Sequence, residues 1–217
     1  MPSARGASEV IVNGKILHSK LRAFYQGEDL AAGEQALGQL RLEKPSFVFA
    51  GDRFIVRDWT EQNTLASGIV LDPDASLKLF RREARLRFLS ERAQLPEDVL
   101  HFVASQVTHD GGGRQSELLL KSRFSTAAIS EAVSRQAAEG KIVSRGDCVF
   151  DFAKWQTLRC RPGDAIDKHH RVHPEQVGLS LTDLRGILKA ELPAEELFDA
   201  FVGTSDQNLD ELFDIAL

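Results

Sequence analysis

The pattern of hydrophobic and polar positions changes its period once along the chain, near Pro73. Before this proline, apolar residues alternate with polar ones in short β-rich runs. Glycine adopts positive φ easily and aspartate can bond its own backbone, so Gly51-Asp52 predicts a turn into a half-buried strand. Asn13-Gly14 predicts a tight hairpin turn for the same reason. These runs predict about five or six strands, which is typical of a small barrel or sandwich.

Residues 50–73 are expected to form the closing hairpin of this β domain. The first strand follows Asp52, the segment 60–67 is polar and rich in turn formers, and a short apolar strand covers 68–71. Pro73 then stops further pairing, because proline has no N–H to donate.

After Pro73 the apolar positions recur at helical spacing. The predicted elements are a basic helix over 77–92, a helix from Pro96, a short element near Arg114, a helix from the N-cap Ser125 to Gly140, and β-rich runs at 141–144 and 148–152. Helix, short helix, helix and hairpin is the order of a winged helix, a module whose last helix and wing usually contact nucleic acid. Winged helices also serve as protein-docking or spacer modules.

A second winged helix is predicted to start at residue 153, with a capping box from Ser180 to Asp183 and a further helix from Pro193. No β-rich run follows that could form its wing. Four apolar side chains should therefore lack their usual cover, namely Leu197, Phe198, Phe201 and Val202, unless a helix over about 207–216 replaces it. The fold class is thus multidomain β plus α, a small β-barrel followed by winged-helix modules, with domains at 1–73, 74–152 and 153–217.

Composition limits the classes of protein. The chain has 217 residues, of which 42% are hydrophobic and 27% charged, as in ordinary globular proteins. It contains no apolar run long enough for a membrane helix and no signal peptide at its start, so we expect a cytoplasmic monomer. Its two cysteines, Cys148 and Cys160, are too few for a disulfide scaffold and are expected to be reduced and structural.

The net charge of −5 is distributed unevenly. Residues 77–92 carry six basic and two acidic side chains, whereas residues 191–217 carry eight acidic side chains and no Lys or Arg. This asymmetry predicts either an RNA-facing end or simply a solvated face. The candidates for RNA contact are the basic residues of the first helix and of the first winged helix, namely Arg81, Arg82, Arg85, Lys121, Arg123, Arg135, Lys141 and Arg145.

Other kinds of site have little support. Gly33 and Gly38 have the glycine spacing of a phosphate-binding loop, but the lysine and the hydroxyl that would hold phosphate and magnesium are missing after them. The triglycine at 111–113 predicts a flexible loop. Three histidines at 169, 170 and 173 lack the carboxylate or thiol partners of a metal site. We therefore predict no catalytic residue, no metal and no cofactor.

Part of the chain resembles a known family. The motifs Gly33-Glu34, Gln39-Leu40-Arg41-Leu42-Glu43-Lys44-Pro45, Gly51-Asp52-Arg53-Phe54-Ile55-Val56-Arg57-Asp58 and Val70-Leu71-Asp72-Pro73 are similar, in order and without gaps, to the end of the third, β-barrel domain of the selenocysteine-specific elongation factor SelB. The family usually has a glycine triplet where this chain has Ala66-Ser67-Gly68. The resemblance also implies a string of winged helices after the barrel.

This resemblance implies GTP-dependent delivery of selenocysteinyl-tRNA to the ribosome by the whole protein, with the last winged helices gripping an mRNA hairpin. GTP and magnesium are implied only for the full-length family, and the mRNA hairpin only for modules that this chain lacks. The chain itself would be no enzyme, but the tRNA-side barrel and a winged-helix spacer with RNA-binding capacity. The alternative is a stand-alone winged-helix protein-interaction or regulatory module. An upstream, in-frame Walker motif would favour the first interpretation.

Overall fold

The computed structural model describes residues 7–12, 15–24, 31–58, 60, 62–75, 82–174, 180–189, 192 and 195–202. The chain divides into two compact units. Unit 1 comprises Met1–Ser105 and Leu119–Ile129, and unit 2 comprises Gln106–Leu118 and Ser130–Leu217. A mixed architecture of a β domain and a helical region, as predicted, is confirmed; the proposed domain boundaries remain predictions.

Unit 1 contains an antiparallel sheet whose strands are arranged in the order β3-β2-β1-β4-β5. The strands are β1 (Ala7–Val12), β2 (Lys15–Phe24), β3 (Gly38–Leu42), β4 (Arg53–Arg57) and β5 (Thr64–Ile69). Val12 pairs with Lys15, so β1 and β2 form the predicted hairpin, although its turn lies outside the described residues. Alternate side chains of β1 and β4 point to one face, where Val10, Val12 and Val56 form a buried core.

The β4–β5 hairpin is present, but its second strand starts four residues earlier than predicted. The reason is the Asp58 carboxylate, which accepts hydrogen bonds from the Gln62 and Asn63 backbone N–H groups and closes the turn before Thr64. Gly68 lies beneath the Phe54 ring, where a Cβ would come within 2.5 Å of it. Ala66 packs against the apolar core. Only the last residue of the Ala66-Ser67-Gly68 segment therefore has a steric need for glycine.

Two helices follow the sheet, α1 (Glu83–Gln94) and α2 (Val99–Asp110). The predicted basic helix begins at Glu83 in the described region, and residues 76–81 lie outside it. The second helix starts at Val99 and not at Pro96, because Asp98 caps it by accepting a hydrogen bond from the Leu100 N–H at 2.9 Å.

The next elements have the order of a winged helix. They are β6 (Gly112–Arg114), a 3-10 turn (Gln115–Glu117), α3 (Thr126–Ala138), β7 (Ile142–Arg145) and β8 (Cys148–Asp151). Ser125 caps α3, as predicted, by accepting a hydrogen bond from the Ala128 N–H. The strands form a sheet in the order β6-β8-β7, which is compatible with a winged helix.

The prediction of a flexible triglycine loop is wrong. Gly112 and Gly113 belong to β6, paired with Phe150 and Val149 of β8. A Cβ on Gly112 would approach the Phe150 ring to 2.9 Å and the Val149 carbonyl oxygen to 3.0 Å. Glycine is thus used here for a close strand contact, which the composition alone does not distinguish from flexibility.

Unit 2 continues with α4 (Phe152–Val172), α5 (Leu181–Leu188) and α6 (Glu195–Val202). Asp151 caps α4, and Ser180 caps α5 by accepting from the Asp183 N–H at 3.2 Å, which confirms the predicted cap. One apolar cluster joins these helices to β8, and its members are Cys148, Phe150, Trp155, Leu158, Leu184, Leu188, Leu192, Phe198 and Phe201.

The expectation that the last helix lacks cover is wrong for its two phenylalanines. Phe198 and Phe201 are only 2% and 3% exposed. The Phe201 ring contacts Trp155 edge-on at 5.2 Å, and α6 packs against β6 and β8. The sheet of the first predicted winged helix therefore supplies the cover that we expected from a second wing. The substitute helix over 207–216 lies outside the described residues.

Candidate nucleic-acid interface

A turn at the start of β4 connects the sheet of unit 1 to a segment after the 3-10 turn. Gly51 has φ of +90°, and the buried Asp52 accepts a hydrogen bond from the Phe49 N–H at 2.9 Å. Ala50 forms a parallel bridge to the distant segment, donating to the Lys121 carbonyl at 2.8 Å and accepting from the Arg123 N–H at 3.0 Å. The predicted turn thus also pairs with residues 121–123, which lie far away in the sequence. This pairing satisfies backbone groups of Ala50 that the turn itself leaves free.

Two of the predicted RNA-contact cations, Lys121 and Arg123, lie close to carboxylates of this same region. Lys121 Nζ is 2.7 Å from Asp74 Oδ1, and Arg123 Nε is 3.9 Å from Asp52 Oδ1. Arg123 also donates to the Gly51 carbonyl at 3.4 Å.

Arg85 of α1 pairs with Asp72 at the end of the hairpin, and both side chains are largely buried. Together with the pairs of Lys121 and Arg123, this contact forms what we call the polar seam of unit 1. The seam consists of Asp52, Asp72 and Asp74 on the sheet side, opposite Arg85, Lys121 and Arg123.

Arg92 lies beside the seam and is as deeply buried as Asp52, since both residues are 1% exposed. Its Nη1 donates to the Leu71 carbonyl at 2.8 Å and its Nε to the Ser105 hydroxyl at 3.0 Å. Its guanidinium lies over the rings of Phe88 at 4.1 Å and Phe102 at 4.6 Å. Arg92 therefore contributes to the core of unit 1, although the charge pattern assigned it to the RNA-facing helix.

A further exposed ion pair stands beside the seam. Arg53 on β4 bonds to Glu97, just before α2. This hydrogen bond and the charge of Arg53 lower the pKa of the Glu97 carboxyl, and the more distant Arg123 adds to the effect. Glu97 is thus held ionised next to a cluster of cations.

In unit 2, two predicted cations share one carboxylate. Glu139 lies 2.7 Å from Lys141 Nζ and 3.1 Å from Arg135 Nε. The hydrogen bond from Lys141, followed by that from Arg135, lowers the pKa of Glu139.

Arg145, at the wing, lies over the Trp155 ring at 5.7 Å. The wing turn itself is tied to the 3-10 turn, because Ser116 donates to Asp147 at 2.6 Å.

The predicted cations are divided between the two units, since Arg85, Lys121 and Arg123 belong to the seam of unit 1, and Arg135, Lys141 and Arg145 lie in unit 2. Arg82 is exposed just before α1, and Arg81 lies outside the described residues. Sequence reasoning missed the seam carboxylates, even though Asp52, Asp72 and Asp74 all follow or precede a turn signal. Their acidic charge near the basic run was the available signal.

The histidines form no visible metal centre. The His169 and His173 rings lie one helical turn apart with centroids at 5.1 Å. Within the described ranges, no group of three or more His, Cys, Asp or Glu side chains is arranged to hold a metal ion. Nor does any helix in those ranges combine the length and apolarity needed to cross a membrane.

Comparison with known proteins places these features in context. Residues 12–76 match the family model described as the selenocysteine-specific elongation factor, beta-barrel domain. A curated selenocysteine-specific elongation factor of Haemophilus influenzae is 25% identical over 186 residues, which is 86% of this chain and 28% of the relative.

A solved structure supports the same fold. The crystal structure of bacterial selenocysteine-specific elongation factor EF-Sec matches 99% of this chain and 30% of its own, with a TM-score of 0.55 and 11% identity. This chain thus spans less than a third of each of these two proteins. The comparisons confirm the resemblance to the C-terminal part of such a factor.

Proposed function

We propose that the chain is part of a selenocysteine-specific elongation factor, in which it serves as the tRNA-side barrel and helical spacer. The observation that carries the proposal is the match of residues 12–76 to the beta-barrel family. The similarity to the curated relative then continues through most of the chain. Selenocysteinyl-tRNA and the ribosome are the proposed partners, and the cytoplasm is the proposed location.

The polar seam supports a spacer role. A spacer must transmit position, so the barrel should not be joined to the next segment by a loose linker. In unit 1, backbone hydrogen bonds from Ala50, the ion pairs of Arg85 and Lys121, and the buried Arg92 all fix the end of the sheet to α1 and to residues 119–123. Such a junction positions RNA contacts without binding nucleotide itself.

The RNA contacts proposed from the sequence differ in how accessible they are. Arg82 is exposed and Arg85 is largely buried against Asp72. Four other candidates are exposed but lie against carboxylates, namely Lys121, Arg123, Arg135 and Lys141. A phosphate would have to compete with these internal partners. RNA binding by the chain is therefore proposed to be weak and strongly salt-dependent.

Fluorescence anisotropy with labelled tRNA tests this proposal. We expect saturable binding at low salt that weakens steadily as salt is added, because bound phosphates release counterions. A parallel titration with labelled GTP should show no saturable micromolar binding, since the lysine and hydroxyl of a phosphate loop are missing. No tRNA binding at any salt, or tight GTP binding, would contradict the proposal.

The stand-alone interaction module remains the second candidate. The apolar cluster of unit 2 favours it, because α6 packs against β6 and β8 and shares one core with α4 and α5. Sequencing of the gene upstream of residue 1 distinguishes the two candidates. An in-frame GTPase region supports the elongation factor, and a promoter with a start site directly before Met1 supports the module.

A further inference from the structure

The second half of α4 extends beyond the core of unit 2. Leu158 is the last fully buried side chain of the helix, and no side chain described between residues 159 and 172 is buried. At a rise of about 1.5 Å per residue, this segment extends for roughly 20 Å. The other end of the helix is fixed, because Asp151 caps it and the Trp155 ring packs against the Phe150 ring with centroids 5.0 Å apart.

This projecting segment is rich in cations. It carries four Lys or Arg side chains against two aspartates, namely Arg159, Arg161, Lys168 and Arg171 against Asp164 and Asp167. His169 and His170 lie in its last turn. Cations are favoured at this place, because the carboxyl end of a helix carries partial negative charge.

Two of these cations differ from most of the predicted candidates, because no carboxylate that the structure describes pairs with them. Lys168 and Arg171 are exposed, and neither forms an ion pair with any residue that the structure describes. They lie three residues apart and therefore on one side of the helix, and Arg161 lies two turns before Lys168 on nearly the same side. By contrast, Arg135 and Lys141 share Glu139.

We propose that the projecting half of α4, centred on Lys168 and Arg171, is an RNA-phosphate contact of unit 2. The proposal rests on the RNA-binding part of the proposed function and names a surface that the sequence candidates did not include. Its partner is the phosphate backbone of RNA, because exposed, unpaired Lys and Arg on a rigid helix bind phosphate without reading sequence. The contact should therefore depend on salt and hardly on base sequence.

The test compares two variants of equal net charge in the full chain. K168E/R171E reverses the proposed contact, and K44E/K189E reverses two exposed lysines that have no ion pair with a described residue. A labelled RNA hairpin is titrated at several salt concentrations. We expect K168E/R171E to lose about tenfold or more in affinity and to flatten the salt slope by about 1.4 to 1.8 units. The control should change much less.

The outcomes separate this inference from the function on which it rests. If the unsubstituted chain binds no hairpin at low salt, both fail. If it binds and the two variants lose affinity equally, only net charge matters and the α4 contact is wrong. Binding of polyglutamate in place of RNA would also overturn it, since the surface would then recognise acidic protein. K168Q/R171Q, with unfolding midpoints measured alongside, should flatten the slope by a similar amount, because it removes the same two contacts without added repulsion.

Discussion

Each of the two units is stabilised internally by a different kind of contact. In unit 1, the junction between sheet and helices depends on charged groups, with Arg92 inside and the polar seam around it. In unit 2, the corresponding role belongs to an apolar cluster in which Phe150, Trp155 and Phe201 contact one another. Unit 1 should therefore respond to changes of charge, and unit 2 to changes of side-chain volume.

This difference means that the charge pattern alone did not indicate which cations have internal partners. In unit 1, Arg85, Lys121 and Arg123 have carboxylate partners that come from other elements of the chain. The projecting end of α4 carries fewer cations than residues 77–92, yet two of them are exposed and unpaired among the described residues. We therefore consider the presence or absence of an internal partner, beside local charge density, when we propose RNA contacts.

The largest effect is expected from Phe201→Ala in unit 2. This substitution removes the ring that covers Trp155 and should lower the free energy of unfolding by about 3 to 5 kcal/mol. Ile187→Ala, on an exposed position of α5, is the control and should cost less than about 1 kcal/mol. Urea unfolding monitored by tryptophan fluorescence measures both. Equal losses would show that α6 does not share the core.

The next largest effect is expected from Arg92→Met, which should destabilise unit 1. Methionine refills most of the volume between the two phenylalanine rings but loses the charged hydrogen bonds to Leu71 and Ser105. We expect a loss of about 2 to 3 kcal/mol in the free energy of unfolding. Arg87→Met is the matched control on the same helix, because Arg87 forms only an exposed ion pair with Glu83. If the Arg92→Met variant were as stable as this control, charged hydrogen bonds would not be what stabilises the junction in unit 1.

Lys121→Ala should have a small effect. The pair with Asp74 is well formed, but both side chains are about two-thirds exposed, so solvent screens their attraction. A double-mutant cycle with Asp74→Ala should give a coupling energy of about 0.2 to 1 kcal/mol that vanishes in high salt. A larger coupling that persists in salt would mean that the seam is tighter than its exposure indicates.

Glu139→Gln should give the smallest effect and one that depends on pH. Lys141 and Arg135 lower the pKa of Glu139 below its ordinary value of 4.5 in the folded state. The carboxylate therefore stabilises the fold above that value, and the contribution disappears as the pH falls through the lower, folded pKa. Unfolding curves of the two proteins should accordingly differ slightly at neutral pH and converge in acid. Divergence in acid would contradict the sign of the shift.

Much of the fold could be predicted because it follows from local rules. Turn residues located the hairpins, Ser125 and Ser180 located two helix starts, and apolar spacing located α2 and α3. What could not be predicted depends on residues far apart. Pairing of Gly112 with Phe150, and burial of Phe201 on Trp155, need partners that no local pattern identifies.

The internal partners of the candidate cations could not be predicted from the sequence for the same reason. A lysine or arginine has the same local signature whether it faces a phosphate or an aspartate. Asp58, which closes the β4–β5 turn, shows that even a turn prediction shifts when a side chain accepts several backbone hydrogen bonds. Pro162 and Gly163 lie inside α4, although proline usually ends or kinks a helix.

Amide hydrogen exchange at Ala50 and Arg123 tests most directly whether unit 1 is a fixed junction. Their N–H groups donate only across the bridge that joins the sheet to residues 121–123. If the junction opens only when the sheet unfolds, both amides should exchange as slowly as those of β4 and with the same dependence on denaturant. Exchange at the rate of an open loop, while β4 stays protected, would show a loose linker and contradict the spacer role.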